Sequence, residues 1–145
     1  MPSYKNCKEA MSAAGDKNGC TVIALAQLLN IDYNAANKMA MNNYGRKLGQ
    51  GMYTFDMLDM YKRELKKSGK TLEKQDKKKI LAKVDRKNYR VKTLTSNNIK
   101  MANLRGTHVV LTRQHVAVLK GSKVVDWSMN KASHVRSVYK VVKIN

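Results

Sequence analysis

Near Gly106 the hydrophobic pattern of this chain changes period, and that change limits the folds open to it. Before it, apolar residues recur every three or four positions. After it come the valine-rich runs "THVVLTR", "HVAVLK", "KVVDWS" and "VRSVYKVVKI", with short polar breaks between them. The first spacing buries one stripe of a helix; the second buries a strand. Gly121-Ser122 between two of the runs is a two-residue hairpin signal. Helices first and an antiparallel sheet afterwards make an α+β layout, and 145 residues suit a single domain, 1–145.

Within the helical part, residues 4–13 can form a short helix and Gly15 to Gly19 supply turn chemistry. "CTVIALAQLLN" follows as a helix so widely apolar that it must be largely buried. Asp32 is placed to cap a helix over roughly 33–43. "GRKLGQGM" is a glycine-rich loop, but it lacks the Lys-Ser/Thr ending of a phosphate loop. Thr54 is expected to cap "FDMLDMYKRELKK", with Phe55, Leu58, Tyr61 and Leu65 on the buried face and Met57 and Met60 beside it. Residues 70–92 read equally as a charged helix, a long loop or a disordered segment. "TLTSNNIKMANLRG" suggests a short helix beginning near Ser96 or Asn97 and ending at Gly106.

Charge is the second strong constraint. The formal net charge is +19, divided as +1 over residues 1–60, +11 over 61–100 and +7 over 101–145. Such asymmetry points to a polyanionic partner or an acidic substrate, the plainer reading being a solvated basic face. Lys66, Lys67, Lys77, Lys78, Lys79, Lys83, Arg86 and Lys87, within a lysine-rich segment at about 62–92, are the candidate contacts. Only Tyr61 and Tyr89 interleave with them, so the expected binding is sequence-independent attraction to nucleic acid or an acidic protein rather than base stacking. No apolar run is long enough to span a membrane and no secretory signal opens the chain, so a soluble intracellular protein without membrane contact is expected. Two cysteines make neither a disulfide framework nor a zinc site, and no metal or cofactor is expected.

Cys20 falls at the start of the buried helix, where unpaired N–H groups and the helix dipole favour an anion such as a thiolate. Gly19 leaves one side of the sulfur open. A thiolate nucleophile needs a base and a group to orient that base. His115 opens a strand and shares a face with Ala117 and Leu119. With a turn at Gly121-Ser122, Asp126 on the next strand becomes its diagonal neighbour on that face. Asp126 is also the only acidic residue after Asp85. A salt bridge is the plainer role for it, and core packing the plainer role for a lone His or Cys. His108, one strand earlier, is the alternative base; His134 is expected at the surface, and Cys7 is a control thiol.

The order Cys, His, Asp resembles the papain-like cysteine peptidase superfamily, and most closely its small phage-encoded members. "NGCTVIALAQLLNIDY" (18–33) and "GTHVVLTRQHVAVLKGSKVVDW" (106–127) carry the resemblance. It implies a papain-like fold, with the nucleophile at a helix start packed on a C-terminal antiparallel sheet. It implies a thiol hydrolase acting on peptide or isopeptide bonds of a peptide or protein substrate. Cys20 would be the nucleophile, His115 the general base and later acid, and Asp126 the orienting group. The backbone N–H of Cys20 and the side chain of Asn18 would form the oxyanion hole, since no Gln precedes Cys20. A phage origin would place the chain in a bacterial cytoplasm or packaged in a virion. The alternative is a catalytically inactive papain-like or basic module that binds nucleic acid or an acidic protein.

Overall fold

The structure is a computed structural model that describes residues 2–84, 92–113, 115–121 and 133–144. Its described residues form an α+β protein with five α-helices and a four-stranded antiparallel sheet. The helices are α1 (Tyr4–Ala13), α2 (Cys20–Leu29), α3 (Tyr33–Tyr44), α4 (Thr54–Lys66) and α5 (Lys77–Val84). The strands are β1 (Lys70–Lys74), β2 (Thr107–Leu111), β3 (Val116–Lys120) and β4 (Ser137–Lys143). The sheet order is β1-β4-β2-β3. The chain divides into two compact units, residues 1–72 with 142–145 and residues 73–141.

The first unit is built around α2. Its residues Thr21 to Gln27 are all buried, and α1, α3 and α4 pack against it. Polar contacts tie the helices together: Tyr61 of α4 donates its hydroxyl to the Thr21 carbonyl at 2.7 Å. Asp32 caps α3 as expected, and Ser3 caps α1, each side chain accepting a backbone N–H from three residues on. At its other end α3 closes at Gly45, in the left-handed region at φ 70°, and the Arg46 N–H returns to the Ala40 carbonyl. This reversal sets where the Arg46 side chain starts.

Helix α4 departs from expectation in two ways. Tyr53, in extended conformation, is the residue before the helix, so Thr54 is already helical and caps nothing. The buried face is formed by Met57, Leu58, Met60, Tyr61, Glu64 and Leu65, while Phe55 is 89% exposed. At 100° per residue the centre of that face lies roughly 130° from Phe55, which the apolar character of Phe alone does not reveal.

In the second unit, Ile80 and Val84 of α5 pack with Leu94, Ile99, Leu104, Val110, Leu119, Val135 and Val138 in one apolar core. Strands β2 and β3 pair antiparallel from Thr107↔Lys120 to Leu111↔Val116, and β4 lies on the other side of β2 with His108 opposite Lys140. The expected helix near residues 96–106 is only a 3₁₀ turn, Ile99–Ala102, closed by Asn103 in the left-handed region. The described part of residues 70–92 forms a strand and a helix, where a charged helix, a long loop or a partly disordered segment was expected. The expected strand "KVVDWS" and Ser122 of the hairpin lie outside the described residues. Among the described residues no helix is long and apolar enough to cross a membrane.

Candidate functional site

The segment before Cys20 is held by a buried ion pair. Asp16 and Arg46 have fully buried side chains, with Arg46 Nη1 2.9 Å from Asp16 Oδ2 and Nη2 donating to Oδ1 at 3.1 Å. The same carboxylate accepts the Tyr33 hydroxyl, the Gly49 N–H at 2.6 Å and the Lys17 N–H at 2.8 Å. Burial by itself would raise the Asp16 pKa. Arg46, Tyr33 and the two backbone donors outweigh it and bring the value down to about 2. Arg46 is satisfied in turn by Asn37 and by the carbonyls of Gln50 and Lys17. The pair therefore joins the turn ahead of α2 to the loop after α3.

Two residues fill the space between this anchor and the sulfur. Asn18 is left-handed at φ 56°, and its amide donates to the Gly49 carbonyl at 3.1 Å. The Asn18 side chain expected in the oxyanion hole thus already has one hydrogen bond inside its own loop. At Gly19 an added Cβ would lie 2.5 Å from the Tyr33 hydroxyl and 2.8 Å from Met11 Sδ. Met11 can bend away, but Tyr33 is held by Asp16, so the position requires glycine.

Cys20 is the first residue of α2, half-buried, and Gly19 brings no side chain to cap the helix. The first-turn N–H groups therefore face the sulfur end of the helix without a side-chain acceptor, the arrangement that favours a bound anion. Cys7, like Cys20, is in no disulfide, but it is only 2% exposed. Two phenols lie within electrostatic reach of Cys20. Burial and then the Cys20 charge raise the pKa of Tyr4. The same two effects put Tyr61 well above its ordinary value, with the Thr21 hydrogen bond opposing them. Tyr61 has its hydroxyl committed to Thr21. Tyr4 is half-buried, and the sequence suggested no role for it beyond opening α1.

The histidines belong to the second unit. His115 immediately precedes β3, and its carbonyl accepts the Thr112 N–H at 2.9 Å, which continues the β2–β3 ladder by one pair. Alternation through that pair puts His115 on the sheet face of Ala117 and Leu119, as expected. Burial lowers its pKa, so the imidazole is neutral near pH 7, the form a general base requires. His108 on β2 is 3% exposed, and its Nδ1 is buried without a hydrogen-bond partner among the described residues. His134 is exposed, as expected. Asp126, Arg86 and Lys87 lie outside the described residues.

No family model, curated protein or solved structure matches this chain.

The described lysines of the basic tract, Lys66, Lys67, Lys77, Lys78, Lys79 and Lys83, are all exposed. Lys67 pairs with Glu64 at 2.8 Å. Three lysines, Lys77, Lys78 and Lys79, occupy the start of α5 with no acidic residue in its first turn. The helix dipole disfavours cations there. Asp76 offsets this in part by accepting the Lys78 N–H at 2.9 Å. Among the described residues no cluster of three or more His, Cys, Asp or Glu is placed to hold a metal ion.

Proposed function

We propose that the chain is a thiol hydrolase of the papain-like kind, cleaving a peptide or isopeptide bond with Cys20 as nucleophile. The observation that carries this reading is a half-buried thiol at a helix start without a side-chain cap, behind a loop fixed by a buried Asp16–Arg46 pair. Rigid support of this kind keeps a nucleophile in one geometry. Cys20 Sγ attacks the carbonyl carbon of the substrate and the carbonyl electron pair moves onto oxygen. The Cys20 N–H and a side-chain donor, Asn18 or the Tyr4 hydroxyl, stabilise that oxyanion. The order of residues in the sequence assigns the remaining roles. His115 takes the thiol proton and passes it to the leaving nitrogen, and Asp126 orients the imidazole. Water then hydrolyses the thioester. A fluorogenic peptide pool tests the reading. Cleavage is expected for the wild-type chain and for Cys7→Ala but not for Cys20→Ala; cleavage that survives in Cys20→Ala contradicts it.

A second reading, non-specific binding to a polyanion, is favoured by the three lysines at the dipole-disfavoured end of α5. Affinity for an oligonucleotide should then fall steeply with added salt. Absence of binding at low ionic strength rules this reading out.

A further inference from the structure

The second unit contains a cavity of about 390 Å³ whose wall is strongly cationic. Lys79 and Lys83 reach it from α5, Arg105 from the turn before β2, and Lys140 from β4; among the described residues Asp76 is the only acidic one lining it. None of these four cations forms an ion pair among the described residues. His108 also lines the cavity, directly opposite Lys140 in the β2–β4 ladder. It is buried beside the Gly106 backbone, and its Nδ1 has no hydrogen bond of good geometry among the described residues.

These features belong together chemically. Like charges gathered around a concavity repel one another, and an anion inside it relieves that repulsion. A buried polar nitrogen without a partner is uncommon because desolvating it is unfavourable unless something hydrogen-bonds to it. A tetrahedral oxyanion answers both demands: its oxygens accept from several ammonium and guanidinium groups at once, with one oxygen left for the imidazole. The cavity is much larger than a bare oxyanion, which suits a phosphate carried on a larger molecule.

We propose that this cavity is a phosphate-binding pocket in which Lys79, Lys83, Arg105 and Lys140 hold the oxyanion and His108 hydrogen-bonds to it. The proposal deepens the polyanion reading by naming the ligand group and the residues that receive it, and it is independent of the thiol chemistry.

The test is NMR titration of the intact chain, following the imidazole signals of His108 with inorganic phosphate in one arm and a short oligothymidylate in the other. A saturable shift of His108 is expected, with His115 unmoved. Arg105→Gln and Lys140→Gln should each weaken binding about tenfold, the loss of one charge-assisted hydrogen bond. Lys38→Gln, at an exposed position of the first unit outside the basic tract, should change it by less than about twofold. Tighter binding of the oligonucleotide identifies a polynucleotide backbone as the source of the phosphate; tighter binding of inorganic phosphate identifies a small ligand. No saturable shift with either probe, or equal losses in Lys38→Gln and Arg105→Gln, overturns the pocket. Salt-sensitive oligonucleotide binding that leaves His108 unmoved would overturn the pocket while sparing the polyanion reading.

Discussion

Asp16 is the residue on which the geometry ahead of Cys20 depends most. Its carboxylate gathers five donors from four residues, and none of them is replaceable by water at a fully buried site. Removing one member of a buried ion pair strands the other, at a cost of about 3–5 kcal/mol. Arg46→Met should therefore destabilise the fold by about that amount in urea unfolding, and Gly19→Ala, which drives a methyl into Tyr33, should do so less severely. The pair also carries a pH signature. The folded-state pKa of Asp16 lies below the ordinary carboxylate value, at about 2, so its contribution is complete above that ordinary value. It is lost as the pH falls through about 4 towards 2, and Asp16→Asn should abolish that part of the acid transition. The sequence marked Asp16 only as a turn residue. Its partner is thirty positions away and no local periodicity links them. The one available hint was that Arg46 is the only arginine in the first sixty residues.

At the scale of elements, legibility followed burial. Helices α1, α2 and α3 could be read to within a residue because each has a cap or a wide apolar surface. Strand β1 was missed because "KTLEK" is an edge strand, where lysines are tolerated and only Leu72 is buried. The exposure of Phe55 was missed because the buried face of α4 includes Glu64, which a hydrophobic pattern skips; Glu64 is held there by Tyr44 and Lys67. Helix α5 yields the sharpest prediction at this scale. If the first-turn Lys78 serves binding and not folding, Lys78→Glu should stabilise the helix by roughly 0.3–1 kcal/mol through the dipole. The same change should weaken oligonucleotide binding. A fall in stability together with unchanged binding would contradict this.

Over the whole molecule the two themes separate along the chain. Residues 73–141 carry 17 basic against 4 acidic side chains, net +13 of the total +19, and contain the cationic cavity. The helical unit holds Cys20 and the Asp16–Arg46 anchor. The α+β layout was legible because the change of hydrophobic period is a property of long segments. The candidate site was legible only in part: Cys20 and His115 stand at element starts that the pattern marks, whereas the electrostatic reach of Cys20 to Tyr4, the Arg46–Asp16 pair and the pairing of His108 with Lys140 join residues distant in sequence. If Cys20 is a nucleophile served by His115, the rate of Cys20 alkylation near neutral pH depends on that imidazole. Cys7 is a poor reference because burial alone protects it, so the comparison must be with His115→Ala at the same thiol. This substitution should slow modification of Cys20 by about a hundredfold, the scale of a lost general base. An unchanged rate would contradict it.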